Sequence, residues 1–175
     1  YQNLIFFQNF YIHHFMMNTL KLDREFNRGR YNKGQCQNAI KLIQQIGKLY
    51  YAHEQGIKEL CWDGVENGPK AQAKRSNNVG RYLTRTIDTD KEFRDPNSYI
   101  TLMTAINSYD LGLGAKTYEE GVRRIKCPVL VMNIDTDCEL APMWGEEVVD
   151  VLNESTPGQA QFKLIKSSWG HLGCL

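Results

Sequence analysis

The sequence lacks a surplus of either charge, any pair of neighbouring cysteines and any glycine-flanked serine. Lysine and arginine number 21 against 20 aspartates and glutamates, so the balance gives no reason to expect nucleic acid or an anionic membrane as a partner. The five cysteines, Cys36, Cys61, Cys127, Cys138 and Cys174, are odd in number, scattered and never at C-x-x-C spacing. That argues against a disulfide framework and a zinc site, and suits a reducing compartment, the cytoplasm. His13 and His14 are adjacent and point apart on either a helix or a strand, so no metal site is expected. The first fifteen residues have no initiator methionine, no basic start and no long apolar run. A signal peptide is therefore not expected, and the chain is expected to begin mid-protein with residues 1–17 irregular. Asn153-Glu154-Ser155 matches a glycosylation sequon but has no secretory signal to support it. Leu111 to Thr117 is no phosphate loop, because Ala115 precedes Lys116 and no strand leads in. Ser76, Ser98, Ser108, Ser155, Ser167 and Ser168 all lie outside any Gly-x-Ser-x-Gly elbow.

What is present is concentrated between Ile125 and Leu175. Cys127 to Asn133 is a nearly continuous apolar run opened by Pro128, the pattern of a strand buried on both faces in a parallel sheet. Ile134 to Leu140 is too polar to extend it, so Asp137 is expected in the loop beyond the strand's carboxyl end, where open α/β sheets place their chemistry. Pro142 suits a first helical turn, and Trp144, Val148, Val151 and Leu152 recur at helical spacing. After the turn signal Thr156-Pro157-Gly158, the residues Ala160, Phe162 and Leu164 alternate with their neighbours as an edge-side strand does. His171 follows just past it. A carboxylate after one strand and a histidine after the next is the order of acid and base in an α/β-hydrolase triad.

The chain resembles the C-terminal part of the homoserine O-acetyltransferase family of α/β-hydrolases. The matching pieces, in order, are Asp95-Pro96-Asn97-Ser98-Tyr99, Tyr109-Asp110-Leu111-Gly112, Ile125 to Val131, Asp135-Thr136-Asp137 and Gly170-His171. Asp23, Phe26, Gly29 and Tyr31 also match a family segment that leads into the cap, with Arg24 where a proline would stand. The resemblance implies a helical cap over 18–112 and an α/β-hydrolase core segment over 113–175. It implies Asp137 as the triad acid rather than Asp135, and His171 as the base. It further implies acetyl transfer from acetyl-CoA, as co-substrate rather than bound cofactor, to the hydroxyl of a small molecule in methionine biosynthesis, and a possible homodimer for the intact protein. Two departures bear on the acceptor: Leu172 follows His171 where homoserine enzymes have aspartate, and Met16 and Met17 occupy the neighbourhood of an upstream arginine. With no elbow serine the chain reads as a C-terminal fragment holding half an active site. The alternatives are an esterase on the same scaffold or a non-catalytic remnant.

The remainder of the chain gives coarser expectations. From Asn38 to Leu60 apolar residues recur at helical steps, predicting two helices or one broken near Gly56. Asp63 to Thr89, rich in Gly, Asn, Lys and Arg, is expected to be a long mobile loop, with Lys70, Lys74, Arg75 and Arg81 available to solvent or to coenzyme A phosphates. Asn97 to Leu111 reads as a helix capped near Asp95 with Pro96 in its first turn. Thr117 and Glu120 form a capping box for a short helix.

Overall fold

The computed structural model describes residues 5–85 and 94–174, with side chains from residue 10 onward. It divides into two compact units, Tyr1–Tyr50 with Lys58–Ser108 and Tyr51–Ile57 with Tyr109–Leu175. The observed division thus falls after Ser108 and assigns Tyr51–Ile57 to the C-terminal unit, whereas the sequence places one boundary at 112.

The first unit begins with the helix α1 (Ile5–Leu22), which corrects the expectation of an irregular stretch for residues 5–17; residues 1–4 of that expectation lie outside the described residues. Met16, Met17 and Leu20 of α1 join Ala39, Ile40 and Ile43 of α2 (Gln37–Tyr51) and Met103 of α5 (Pro96–Asn107) in one buried cluster. Amides and aromatics blur the local periodicity of α1, and the helix draws its stability from this tertiary burial instead. His13 is buried, its Nδ1 2.7 Å from Asn107 Oδ1, while His14 is exposed. The two point apart as their adjacency requires.

Past α1, Asp23 caps a 3-10 turn (Arg24–Gly29) by accepting from Glu25 N at 2.8 Å. The chain then reverses through Asn27, Arg28 and Gly29, all at positive φ. This turn is tied to the start of α5. Tyr31 Oη donates to the Asp95 carboxylate and accepts from Asn97 N at 2.8 Å, and Asn97 Nδ2 donates to Gly29 O at 3.0 Å. Asp95 Oδ2 in turn accepts from both Ser98 N and Ser98 Oγ at 2.7 Å, which is the N-cap of α5. Burial would raise the Asp95 carboxyl, but the hydrogen bonds from Tyr31 and Ser98 outweigh it and hold the group below its ordinary value. Burial, with help from Asp95, pushes the Tyr31 phenol up.

Of the two expectations for 38–60, two helices are observed, α2 and α3 (Glu54–Trp62), separated at Ala52 and His53. Gly56 lies inside α3, and a Cβ there would stand 2.7 Å from Ser168 O. The expected loop from Asp63 to Thr89 is corrected by α4 (Ala71–Thr84). Residues 86–89 of that expectation lie outside the described residues. α4 is strongly polar and shows little apolar periodicity, but polar contacts hold it: Asn78 Nδ2 donates to Cys61 O at 2.8 Å, and Lys48 Nζ donates to Tyr82 O at 2.8 Å and to Arg85 O. A lysine on the last carbonyls of a helix meets the negative end of its dipole.

The second unit contains α6 (Tyr118–Val122), β1 (Val129–Ile134), α7 (Pro142–Ser155) and β2 (Ala160–Ile165). Thr117 Oγ1 caps α6 by accepting from Glu120 N at 3.2 Å, and Glu120 Oε2 reaches back to Lys116 N at 2.9 Å. β1 and β2 pair in parallel, in register from Val129↔Ala160 to Ile134↔Ile165. Val149, Val151 and Leu152 of α7 form a core with Val122 and Ala160, against which Val129, Val131 and Phe162 pack. α7 lies so close to the sheet that a Cβ on Gly145 would stand 2.0 Å from Asn133 Oδ1 and 2.7 Å from Val131 Cγ1. Asn153 exchanges hydrogen bonds with Ala160 O and N, both at 2.9 Å. That pins the start of β2 and commits the sequon's amide to the fold. The expectation that β1 is buried on both faces is met on one: Val129 and Val131 face α7, whereas Leu130 and Met132 are 58% and 56% exposed. α7 covers a single side of the pair, and alternate residues of a strand point to opposite faces. Among the described residues no helix is long and apolar enough to cross a membrane.

Candidate active site

Three consecutive residues at the carboxyl end of β1 each reach the loop that follows β2. Asp135 Oδ1 accepts from Ser167 N at 3.0 Å, and its Oδ2 lies 3.2 Å from Lys166 Nζ. The Ser167 bond, supported by Lys166, holds the Asp135 carboxyl below its ordinary value. Thr136 Oγ1 donates to Ser167 O at 2.6 Å and accepts from Gly170 N at 3.0 Å. Asp137 is buried, its side chain 5% exposed, and its Oδ2 lies 2.9 Å from His171 Nδ1. The sequence-assigned acid and base are therefore in hydrogen-bond contact, and the rival carboxylate, Asp135, points instead to Ser167 and Lys166.

The orientation of the pair follows from the loop. Asp137 Oδ1 accepts from Glu139 N at 2.8 Å and from Leu140 N at 3.0 Å. This is an Asx-type turn that fixes the carboxylate plane. A carboxylate so placed accepts, so the proton of the Nδ1 contact belongs to the imidazole. On the histidine side, Gly170 has φ +62°, and a Cβ there would stand 2.8 Å from Tyr51 O and 2.9 Å from His53 N. Only glycine combines that backbone with that approach. The Tyr51 ring lies 5.4 Å from the imidazole, centroid to centroid, and Cys174 Sγ donates to His171 O at 3.2 Å. Beside the acid, burial, then the charges of Asp137 and Glu139, push the Cys138 thiol up, away from the reactive thiolate.

One side chain beside the pair was not anticipated by sequence reasoning. Glu139 Oε2 lies 3.5 Å from His171 Nε2, with the Glu139 side chain 14% exposed. The available signal was its position two residues after the acid, the step at which an Asx turn brings a side chain back beside the aspartate. The basic residues considered for phosphates belong to the first unit. Lys70 and Lys74 line an open cleft of about 620 Å³ together with Gly64, Glu66 and Pro69. Arg75 is engaged by Asn67 Oδ1 at 2.7 Å and stacks 4.9 Å above the Trp62 ring.

No protein-family model matches the sequence. The homoserine O-acetyltransferase of Methanococcoides burtonii is 26% identical over 157 residues, which are 88% of this chain and 32% of that protein. The chain resembles the C-terminal part of the homoserine O-acetyltransferases. The crystal structure of homoserine O-acetyltransferase from Bacillus anthracis superposes with a TM-score of 0.76 at 18% identity, covering 97% of this chain and 45% of that one. The crystal structure of esterase E22 gives 0.73 at 20% identity, covering 92% and 45%. These neighbours are α/β-hydrolases, so the helical region and short parallel sheet correspond to part of an α/β-hydrolase fold. The chain spans from about a third to just under half of the length of these relatives.

Proposed function

We propose that this chain supplies the acid and base of an acyl-transfer site, with Asp137 orienting His171 and His171 Nε2 taking the proton from a serine nucleophile. The observation that carries the reading is the 2.9 Å contact between a buried carboxylate and a histidine on adjacent loops at the carboxyl ends of parallel strands. The reaction that fits the relatives is ping-pong transfer: acetyl passes from acetyl-CoA to the serine, and from the acyl-enzyme to the hydroxyl of an amino acid or alcohol. His171 would act as base in forming the intermediate, then protonate the departing thiol, and reverse these roles for the acceptor. The serine and the oxyanion-hole donors would come from sequence lying upstream of this segment in the relatives.

An esterase is the second reading, favoured by Leu172. An apolar side chain directly after the base offers no polar contact to an amino-acid acceptor, and water needs none.

The test compares the 175-residue chain with a fusion that places the N-terminal part of the Methanococcoides burtonii enzyme ahead of it. With an activated acetyl ester, the chain alone gives no burst. The fusion forms an acyl-enzyme that His171→Ala abolishes. A burst from the chain alone, or a fusion indifferent to His171→Ala, would refute the assignment. Partition of the acyl-enzyme between water and added homoserine or serine then separates esterase from transferase.

A further inference from the structure

Thr136 directly precedes the acid in sequence, yet its hydroxyl serves the histidine loop. Oγ1 donates to Ser167 O at 2.6 Å and accepts from Gly170 N at 3.0 Å, so one side chain holds the first carbonyl and the last N–H of residues 167–170, which lead into His171. A hydroxyl can do this because it donates and accepts at a single atom, and the β-branch of threonine restricts χ1 so that the atom stays where it is aimed. Gly170, the residue bonded to His171, is closed in from elsewhere as well: a Cβ on it would stand 2.8 Å from Tyr51 O and 2.9 Å from His53 N. The other ties to this loop do not reach the residue next to the histidine. Asp135 Oδ1 takes Ser167 N at 3.0 Å, Ser167 Oγ takes Trp169 N at 3.2 Å, and Cys174 Sγ bonds His171 O from within the loop itself.

We propose that Thr136 is the positioning residue of the acid–base pair: its hydroxyl fixes the peptide ahead of His171 so that Nδ1 falls within hydrogen-bond reach of Asp137. The group that locates the histidine loop and the carboxylate that meets the ring are thus carried on neighbouring residues of one chain segment, and a movement of that segment carries both. Thr136→Val keeps the shape and the β-branch but leaves Ser167 O and Gly170 N to water or to each other, and the peptide before the histidine turns with them. Thr136→Ser keeps the hydroxyl. The inference rests on the acid–base reading of the same site, but its first readout does not require acyl transfer.

The test follows the Nδ1–H proton of His171 in nitrogen-15-edited spectra of the 175-residue chain. Its exchange with water should be about tenfold faster in Thr136→Val than in the parent, the factor for one lost hydrogen bond, and should return to the parent rate in Thr136→Ser. Thr136→Ala gives the same reading should the valine variant not fold. Asn153→Ala, which frees the start of β2 at the opposite end of the strand, is the structural control: it lowers the melting temperature and leaves the Nδ1–H exchange unchanged. In the fusion described above, Thr136→Val should slow acylation by about 100-fold with KM unchanged, as a displacement of about 1 Å does, and Thr136→Ser should restore it. Parent-like exchange in both Thr136→Val and Thr136→Ala, no rescue by serine, or the same loss in Asn153→Ala would overturn the proposal. If the exchange follows the Thr136 hydroxyl while the fusion shows no histidine-dependent acylation, the positioning stands and the catalytic reading fails.

Discussion

Replacing Asp137 separates what the carboxylate does for the loop from what it does for the histidine. Its Oδ1 accepts from two backbone N–H groups and its Oδ2 meets the imidazole. In Asp137→Ala all three donors lose their acceptor in a part-buried turn. At about 1 to 3 kcal/mol for each buried donor left unsatisfied, and allowing for water reaching Leu140 N, the loss comes to about 2 to 6 kcal/mol. For a chain of this size that lowers the melting temperature by about 4 to 24 °C. Asp137→Asn behaves differently. Its amide oxygen can keep both backbone bonds, so its stability should fall by less than about 1 kcal/mol. Its amide nitrogen is now a donor facing Nδ1, which moves the ring proton to Nε2, the wrong tautomer for a base. Thermal melts of both variants, with nitrogen-15 spectra of His171 in Asp137→Asn, read the two effects separately. In the acylating fusion the tautomer change should cost roughly 10⁴-fold in rate, the order seen when triad acids become amides. The reasoning fails if Asp137→Asn melts as low as Asp137→Ala, or if its imidazole still carries the proton on Nδ1.

Two further outcomes follow from the packing. Gly145→Ala gains about 1 kcal/mol of helix propensity but drives a methyl group into Asn133 Oδ1, Val131 and Phe162; overpacking at about 1 to 3 kcal/mol should win, and urea denaturation showing a stabilised protein would contradict the described approach of α7 to the sheet. The Asp95 carboxyl is held below its unfolded value, so its stabilising contribution is complete above the ordinary carboxylate range and is lost as pH falls through the folded value. Acid titration of the far-ultraviolet circular dichroism signal should therefore show a low-pH transition that Asp95→Asn reduces, and an unchanged acid transition in that variant would refute the role.

Much of the second unit was legible because its signals are local. The apolar run after Pro128, the polar break at Asp135, Pro142 at the helix start and the alternation from Ala160 to Leu164 each require only neighbours in sequence. The pairing of Asp137 with His171 followed from the order of elements and the family likeness together. The first unit was harder. α1 is helical through burial of Met16, Met17 and Leu20 against α2 and α5, which no window of α1 alone displays. α4 has Ala71 as its buried residue, so it carries no apolar stripe to be read. The run Val-Leu-Val-Met records what a strand can bury rather than how many layers cover it, which is why β1 keeps an open apolar side in this chain. Glu139 escaped notice because its partner, the far nitrogen of His171, is chosen by the fold of a turn rather than by sequence spacing to the histidine.

The ties made by Asp135, Thr136 and Asp137 to Ser167, Gly170 and His171 bear on how such a site comes undone. Every one of them joins the end of β1 to the loop after β2, and the register of those two strands sets them all at once. Asp137 and His171 are therefore not placed independently of each other. One unit of strand, helix, strand and loop sets both, so a slip of a single residue in the pairing of β1 with β2 would undo every one of these ties together.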